Sequence, residues 1–407
     1  MSQARAPGIR EILRVPEIRA AIVGTFVIML GFGILFPILP LYARSFGVGY
    51  DDVGLVGAVF ALTRLFFDLV SATVVQRVGE RATAVWGSIV VGLSTVLSAL
   101  APTFGLLVGF RAIGGAGSSL FFAALLAYML RVVPKEQMGR VTGVYYGAFN
   151  LGFIVGPPVG GLLASWLGLV APFWIYAASC FAAAWLYHRY LRDAEKVPNA
   201  EERRGGLRSI RWDRSFATVL VVNLAFATIL SGVYSTLIPL FGREAVGTSE
   251  LGVSLALALA SLTELLVMYP AGALSDRRGR KTILVPAFAG VALVIALLGT
   301  ATSLLAFMVG SGVLGLLTGA AGVPPAAMLS DLAPEGSPGA AAGAFRFTGD
   351  LGFVLGPLLA GGAAERLGFS WAFVLSAVPS LVAVAFLLSV PDTLATARRR
   401  LREEQGL

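Results

Sequence analysis

The sequence predicts an all-α membrane protein with twelve transmembrane helices in two parallel-repeat six-helix bundles and with both termini in the cytoplasm. Three observations predict this fold: the apolar composition, the one-sided distribution of basic residues, and an internal repeat. Of the 407 residues, 57% are hydrophobic and 13% are charged, and a soluble monomer with that composition would expose large apolar patches. Because a membrane-spanning helix takes about 20 apolar residues, the chain provides for about a dozen of them. A soluble enzyme, a disordered chain and a disulfide scaffold are therefore excluded.

Uncharged stretches locate the helices in chain order. No Asp, Glu, Lys, Arg or His occurs in residues 20–43, 82–110, 112–130, 141–187, 215–242, 282–330 and 367–391. Two of these stretches, 47 and 49 residues long, exceed the length of one helix and are interpreted as hairpins. Two further hydrophobic stretches contain a few charges but have the right length. The predicted helices 1 to 12 are 20–42, 52–75, 83–101, 105–130, 141–166, 173–190, 215–240, 251–274, 282–300, 304–329, 340–364 and 371–390.

Basic residues predict the orientation of these helices. If both termini and the loops after even-numbered helices lie on one side, that side carries 25 Lys and Arg residues. The opposite side carries only Arg44, Arg243 and Arg366. The positive-inside rule therefore places both termini in the cytoplasm. The net charge of +8 follows from this topology and does not indicate nucleic-acid binding.

The two halves of the chain repeat at an offset of 200 residues. The segment Gly147–Pro157 is similar to Phe347–Pro357, with Leu-Gly-Phe and Gly-Pro at the same register. Both copies begin on the cytoplasmic side, so the halves are predicted to be parallel repeats, with a binding site at their interface and alternating access by rocking. The predicted domains are an N-terminal bundle over 1–190, a cytoplasmic linker over 191–214 and a C-terminal bundle over 215–407.

The loop Gly272–Lys281 between predicted helices 8 and 9 resembles the cytoplasmic loop signature of the major facilitator superfamily. Its glycines allow a tight turn and a close helix approach, and the Asp276 carboxylate can engage an arginine or a helix N-terminus. In the first half, Gln76 takes the place of this aspartate, so a latch there is expected to be weaker. The loop residues predicted to control conformation are Gly272, Asp276, Arg277, Gly279 and Arg280.

Three further segments are similar to the twelve-helix drug:proton antiporters (multidrug efflux proteins) of that superfamily. Leu30–Pro40 resembles their helix 1 signature, and Arg111–Gly115 resembles the arginine motif of proton-coupled members. Gly152–Gly161 resembles their helix 5 antiporter motif, in which small residues permit close packing and Pro157 frees a backbone carbonyl. Helix 1 departs from the family pattern because it contains no acidic residue. The predicted antiporter-motif residues are Gly152, Gly156, Pro157, Gly160 and Gly161.

The resemblance implies a secondary active transporter, not an enzyme, that exports small lipophilic or amphipathic compounds in exchange for protons by alternating access. It implies the proton gradient as the energy source, no cofactor, and a monomer in the inner or plasma membrane. A narrow-specificity exporter or facilitator of a metabolite, sugar or lipid and a non-transporting sensor are the alternatives. The sequence contains no metal-ligand cluster, phosphate-binding glycine loop or nucleophile–base arrangement.

Six ionisable residues lie inside predicted spans, where each costs about 2.5–3.5 kcal/mol at the bilayer centre and indicates function by default. All are predicted to take part in proton coupling; they are Arg64, Asp68, Arg111, Glu264, Arg346 and Asp350. Arg64 and Arg346 each stand four residues before an aspartate and can pair with it, so structural neutralisation is an equal alternative there. Glu264 has no basic neighbour in its helix, and burial favours the protonated form of a carboxyl group. Glu264 and Asp350 are therefore the expected coupling acids, with Arg111 and Arg346 as candidate partners.

Polar and aromatic residues predict the lining of a substrate cavity, since aromatic walls suit a lipophilic ligand. The residues predicted to bind substrate are Phe32, Phe36, Tyr145, Tyr146, Phe149 and Asn150 in the first half and Asn223, Tyr234 and Phe345 in the second. For any single aromatic residue among them, packing or lipid contact is the alternative interpretation.

Overall fold

The computed structural model describes residues 15–133, 135–192, 212–332 and 338–395 of the chain. These residues form helices joined by short connections, with no strand among them. They belong to two compact units. The first unit lies within Met1–Phe46 and Val59–Pro198, and the second lies within Gly47–Ala58 and Asn199–Leu407.

The first half contains seven helices within the described ranges. Labelled α1 to α7, they are Pro16–Leu35, Leu39–Arg44, Tyr50–Val78, Glu80–Ala99, Phe104–Val132, Lys135–Leu167 and Ala171–Tyr190. Predicted helix 1 is divided into α1 and α2 because Pro37 and Pro40 cannot donate the backbone hydrogen bonds of a continuous α-helix. Predicted helices 2 to 6 each correspond to one observed helix.

The second half contains eight α-helices and one π-helix within the described ranges. Labelled α8 to α15, the α-helices are Arg214–Ile229, Ile238–Glu244, Glu250–Arg278, Arg280–Leu298, Leu304–Gly322, Pro324–Leu332, Pro338–Ser376 and Val378–Ser389. The π-helix Leu230–Leu237 lies between α8 and α9, inside the span predicted as helix 7. It precedes Pro239, which has no N–H to donate to the Ser235 carbonyl in an α-helical register.

Two further turns divide the second half. Predicted helix 10 is broken between α12 and α13 at Val323, directly before Pro324. Predicted helices 11 and 12 are separated at Gly368 within α14, where the backbone turns with φ of 78° and ψ of 169°. Glycine adopts such a positive φ without steric cost, whereas other residues do not.

The backbone itself shows the repeat. Within the described part of the chain, every glycine with a positive φ has a counterpart 200 residues away: Gly47 and Gly247, Gly79 and Gly279, Gly168 and Gly368. Equivalent connections of the two halves therefore turn in the same way.

Ten stretches of the described residues are long and apolar enough to cross a membrane. Helix α7 is not one of them, and predicted helices 11 and 12 together fall in a single stretch, Ala341–Ala395. The total of twelve spans, the cytoplasmic termini and the domain boundaries therefore stay predictions. Most of the predicted linker over 191–214 lies outside the described residues.

Candidate functional site

Glycines of α6 bring this helix into backbone contact with α1 in the first unit. An added Cβ atom at Gly160 would lie 2.1 Å from the Ile34 carbonyl oxygen, and one at Gly156 would lie 2.6 Å from the Gly33 Cα atom. Gly152 meets the α1 backbone one turn earlier. Glycines four residues apart share one helix face, so the predicted antiporter motif forms a packing surface. The other two residues of the motif lie in the same helix: Pro157 and Gly161.

Five aromatic rings of the first unit form one group, the Phe32 cluster: Phe32, Phe36, Phe60, Phe153 and Tyr176. The Phe32 ring centroid lies 5.5–6.1 Å from the centroids of the other four rings. Phe32 and Phe36 are half-buried, whereas Phe60 and Tyr176 are buried. The sequence patterns identified Phe32 and Phe36 but missed the other three, because the contacts join helices that are distant along the chain.

Arg111 lies against this cluster. Its Cζ atom is 4.4 Å from the centroid of the Phe60 ring, and the residue is only 2% exposed. Its buried Nε and Nη1 atoms have no hydrogen-bond acceptor, and no ion pair to the side chain occurs within the described residues. Tyr176 and Cys180 are the ionisable groups that interact with it electrostatically. The guanidinium is therefore a buried cation in largely aromatic surroundings.

Asp68 and Arg64 of α3 lie close to this region. The Ser119 hydroxyl of α5 donates a hydrogen bond to the Asp68 carboxylate. Gly115 of α5 faces the α3 backbone, where an added Cβ atom would lie 2.2 Å from the Phe60 carbonyl oxygen. This approach explains how the predicted coupling residues of the first half come together. Arg64 interacts electrostatically with Tyr176, as Arg111 does.

The remaining predicted lining residues of the first half form a second aromatic group on α6. The Tyr146 ring centroid lies 5.4 Å from that of Tyr145 and 6.5 Å from that of Phe149, and the Phe149 centroid lies 5.6 Å from that of Phe122. Tyr146 and Asn150 are exposed, whereas Tyr145 is buried. Tyr145 packs inside the first unit, and its place in the lining stays a prediction.

Glu264 lies half-buried in α10 of the second unit. Gly319 of α12 approaches its backbone, since an added Cβ atom there would lie 2.6 Å from the Glu264 carbonyl oxygen. No hydrogen bond or ion pair reaches its carboxylate from the described residues. Tyr234 of the π-helix interacts with it electrostatically, and the Tyr234 hydroxyl is hydrogen-bonded to Thr318 at 2.8 Å. Among the described residues, Glu264 is thus an acid that has no cationic partner and lies beside a fixed hydroxyl group.

Asp350 is the second acid of this unit and lies buried in α14. Its Oδ2 atom is 3.8 Å from the Arg346 Nε atom, so the predicted i, i+4 pair is present at the long end of the salt-bridge range. One turn away, the Asn223 side-chain amide donates to the Phe345 carbonyl at 2.6 Å and to the Thr348 hydroxyl at 3.1 Å. Asn223 and Phe345, both predicted to line the cavity, therefore hold α8 to α14.

Two residues of the predicted conformational loop, Asp276 and Arg280, form a group with Asp331 and Thr393. This group is named here the Arg280 clasp. Arg280 contacts the Asp276 carboxylate, and its Nε atom is 3.0 Å from the Asp331 Oδ2 atom. The Thr393 hydroxyl donates to the same oxygen at 3.0 Å. Gly279, with φ of 108°, starts the helix that carries Arg280, while Gly272 lies in α10 and Arg277 is exposed at its end.

The first half contains an equivalent ion pair that the sequence patterns missed. Arg131 Nε donates to Glu80 Oε2 at 2.7 Å, and these positions lie 200 residues before Asp331 and Arg280. The neighbouring Arg81 donates to the His188 carbonyl at 2.8 Å. Alignment of charged positions at the repeat offset would have found this pair, because the acid and the base exchange places between the copies.

Comparisons with known proteins agree with this architecture. The family model of the Major Facilitator Superfamily matches residues 21–249 and 220–406. An uncharacterized MFS-type transporter of Methanocaldococcus jannaschii is 25% identical over 367 residues, which are 88% of this chain and 94% of that protein. The quinolone resistance protein NorA of Staphylococcus aureus is 26% identical over 235 residues, 57% of this chain and 60% of NorA.

A solved structure shows the same fold at low sequence identity. The nucleoside transporter NupG superimposes with a TM-score of 0.74 and 12% identity, covering 91% of this chain and 99% of NupG. Such similarity reports the fold alone, whereas the family model matches nearly the whole sequence. The chain belongs to the Major Facilitator Superfamily and is a multipass membrane transporter rather than an enzyme.

Proposed function

We propose that this transporter exports small lipophilic or amphipathic compounds in exchange for protons by alternating access, as a monomer of the inner membrane. The observation that carries the proposal is the Glu264 carboxyl group, which lies in a membrane-spanning helix without a cationic partner among the described residues. A charged carboxylate is costly in such a place, so protonation is favoured there. Exposure to a second, more polar environment would release the proton, and alternating access supplies two environments.

Tyr234 is the proposed polar neighbour of this proton site. It lies in the π-helix, a form of helix that often occurs at functional sites. Its hydroxyl is held by Thr318 and interacts electrostatically with Glu264. A fixed hydroxyl beside a carboxyl group can donate a hydrogen bond to the charged form and accept one from the protonated form. Tyr234 would therefore support either state of Glu264.

Asp350 is the proposed second coupling acid. Its contact with Arg346 is long, at 3.8 Å, and Arg346 is half-buried while Asp350 is buried. A movement that withdraws the arginine would leave a buried carboxylate and favour its protonation. Arg346 would then act as the basic partner whose position decides the charge of Asp350.

The name of one relative supports a drug-like substrate. NorA is named for quinolone resistance, and it is 26% identical to this chain over the matched region. The match covers 60% of NorA, so the compound class belongs to the proposal. The glycine surface of α6 and the Arg280 clasp are proposed to be the elements that rearrange during transport.

A proton-flux measurement in proteoliposomes tests this function. Vesicles with an acidic interior and a pH-sensitive dye would receive lipophilic cations, neutral drugs and anionic amphiphiles in turn. We expect a compound that triggers proton release with the unmodified protein and fails to do so with Glu264→Gln or Asp350→Asn. Glu250→Gln is the matched control, since Glu250 pairs with Arg243 at the beginning of α10.

Each outcome of this measurement decides between functions. Release that survives in both variants would remove the two acids from the coupling mechanism. No release with any compound, alongside a working reference antiporter, would contradict antiport. Uptake of a single metabolite without proton movement would instead identify a narrow-specificity facilitator.

A further inference from the structure

We propose that Arg111 binds the carboxylate of the transported compound and that the Phe32 cluster holds the aromatic part of the same compound. The substrate class is therefore an aromatic carboxylate or a zwitterion that contains one. The inference rests on the proposed transport function, because it names the substrate of that function. It goes further by assigning a binding site within the first unit.

The unsatisfied hydrogen-bonding capacity of Arg111 points to a missing anion. A guanidinium has five N–H donors, and here both Nε and Nη1 are buried without an acceptor in the described ranges of the chain. A buried charge that lacks a partner is strongly destabilising. Neither the described residues of this unit nor the sequence of α5, the helix that carries Arg111, supplies an acid to it. A bound anion would remove the penalty.

The charge balance of the first unit supports the same conclusion. Away from the ends of its predicted spans, the Asp, Glu, Lys and Arg residues of this unit are Arg64, Arg111 and Asp68, which leave an excess of one positive charge. Asp68 already accepts a hydrogen bond from Ser119. The groups in electrostatic contact with Arg111, Tyr176 and Cys180, are neutral in their ordinary protonated forms. The unit is therefore one negative charge short of neutrality in its interior.

The geometry around the guanidinium selects a planar aromatic ligand. Arg111 lies over the Phe60 ring at 4.4 Å, which leaves the edge of its planar fork for hydrogen bonds. That fork matches a carboxylate through two parallel hydrogen bonds. Phe60 and Tyr176 both contact Phe32, with centroid distances of 6.1 and 6.0 Å. A ligand ring could replace or stack on Phe32 while its carboxylate reaches Arg111.

Two members of the cluster are partly accessible. Phe32 and Phe36 are half-buried, whereas Phe60 and Arg111 are buried. Because Phe32 contacts every other ring of the cluster, it is the proposed contact for the ligand ring.

Binding of matched naphthalene compounds to the full-length protein in lipid nanodiscs tests the proposal. The probes are 2-naphthoate, the neutral 2-naphthamide and the cationic 2-naphthylmethylammonium, measured by titration calorimetry in a zwitterionic buffer of low salt concentration. We expect naphthoate to bind about tenfold or more tightly than the amide, since hydrogen bonds between two charged partners are stronger than those to a neutral group. Arg111→Met should bind the acid and the amide equally, and Arg111→Lys should keep part of the preference. Arg243→Gln is the control for loss of an arginine elsewhere.

Three results would overturn the proposal: equal binding of the acid and the amide to the unmodified protein, an acid preference that persists in Arg111→Met, or tighter binding of the cation. If Arg111→Met does not fold, the variants Arg111→Lys and Phe32→Leu still test the proposal. The lysine variant should lose most of the acid preference, and the leucine variant should weaken acid and amide binding alike. An unchanged preference in Arg111→Lys together with unchanged binding in Phe32→Leu contradicts the site.

An inorganic anion is distinguished by adding chloride to this buffer. If chloride stabilises the unmodified protein but not Arg111→Met, and naphthoate binds no more tightly than the amide, then Arg111 binds chloride. That result would overturn the substrate site. If compounds trigger proton release but the protein binds naphthoate no more tightly than the amide, antiport stands and this inference is wrong. Arg111-dependent naphthoate binding without proton release by any compound would keep the carboxylate site and remove antiport.

Discussion

The two units place opposite charges at equivalent positions of the repeat. Arg64 corresponds to Glu264, and the ion pair of Glu80 with Arg131 corresponds to that of Arg280 with Asp331. The separation within each ion pair is 51 residues in both halves. The repeat has therefore preserved the place of an ion pair between two helices while exchanging its acid and its base. Inside the predicted spans, the exchange leaves the first half with an excess arginine and the second with an excess acid.

The two ion pairs also differ in how firmly they are held. In the second half, the side chains of Arg280 and Asp331 are 8% and 12% exposed, and Asp276 and Thr393 add contacts. In the first half, Arg131 and Glu80 are 34% and 17% exposed, and Gln76 stands at the position of Asp276. Solvent screening weakens the more exposed pair. The Arg280 clasp is therefore expected to be the stronger connection.

The largest expected effect concerns the exchanged positions 64 and 264. Glu264→Arg, which gives the second half the residue of the first, should reduce compound-driven proton release about 100-fold or more, because a positioned proton-transfer group typically contributes at least that factor. Glu264→Gln should show the same loss, and Glu264→Asp should retain part of the activity. Release measured in proteoliposomes checks the series. Full activity of Glu264→Arg would show that the charge difference between the halves has no part in coupling.

The next effect concerns the clasp. Arg280→Ala leaves Asp331 nearly buried without its cation and should lower the free energy of unfolding by about 3 kcal/mol. Glu80→Ala in the first half should cost only about 1 kcal/mol, since that pair is partly screened. Denaturant titration of both variants in the same lipid nanodiscs gives the comparison. Equal losses would mean that burial does not distinguish the two ion pairs.

A smaller effect is expected at the helix contact between α6 and α1. Gly160→Ala would place its Cβ atom 2.1 Å from the Ile34 carbonyl oxygen, and such overpacking typically costs about 1–3 kcal/mol. The second half carries Ala360 at the equivalent position, so this contact is specific to the first half. Gly147→Ala is the control, because nothing lies within 4 Å of its added Cβ atom. A neutral Gly160→Ala in thermal unfolding would contradict the close approach.

The smallest effect tests whether exchanging the two charges of the Glu80–Arg131 ion pair preserves their interaction. Glu80→Arg and Arg131→Glu should each destabilise the first half, and the double variant should recover about 0.5–1 kcal/mol of coupling energy. A double-mutant cycle on unfolding free energies measures the recovery. Strict additivity of the two single losses would show that the two side chains do not interact across the helices.

Some features of the site were accessible from the sequence, and others were not. The loop signature led to Asp276 and Arg280, and the spacing of Arg346 and Asp350 predicted their pairing, because these contacts lie within one turn or one loop. The partner of Arg280 in the neighbouring helix, Asp331, was missed. Contacts between residues 51 positions apart depend on where two helices cross, which local spacing does not report.

The helices followed from the sequence more closely than their interruptions did. Seven predicted spans, helices 2 to 6, 8 and 9, each match one observed helix, because apolar run length and flanking charge are local properties of the chain. The π-helix Leu230–Leu237 was not predicted. It lies just before Pro239, and its Gly232 packs tightly against Gly356, where an added Cβ atom would lie 2.8 Å from the Gly356 oxygen. Of these two features, the contact with Gly356 is tertiary and could not be read from local sequence.

By itself, the sequence determined that this protein is an apolar, helical, internally repeated chain with charges placed inside its spans, because composition, period and charge are written along the chain. The tertiary structure decided which of those charges have partners. Asp68 accepts a hydrogen bond from Ser119, and Arg280 pairs with Asp331. Arg111 packs on an aromatic ring and has no acid as a partner among the residues that the structure describes. The physical reason is that glycine-mediated backbone contacts set the helix crossings, and the crossings determine which side chains meet.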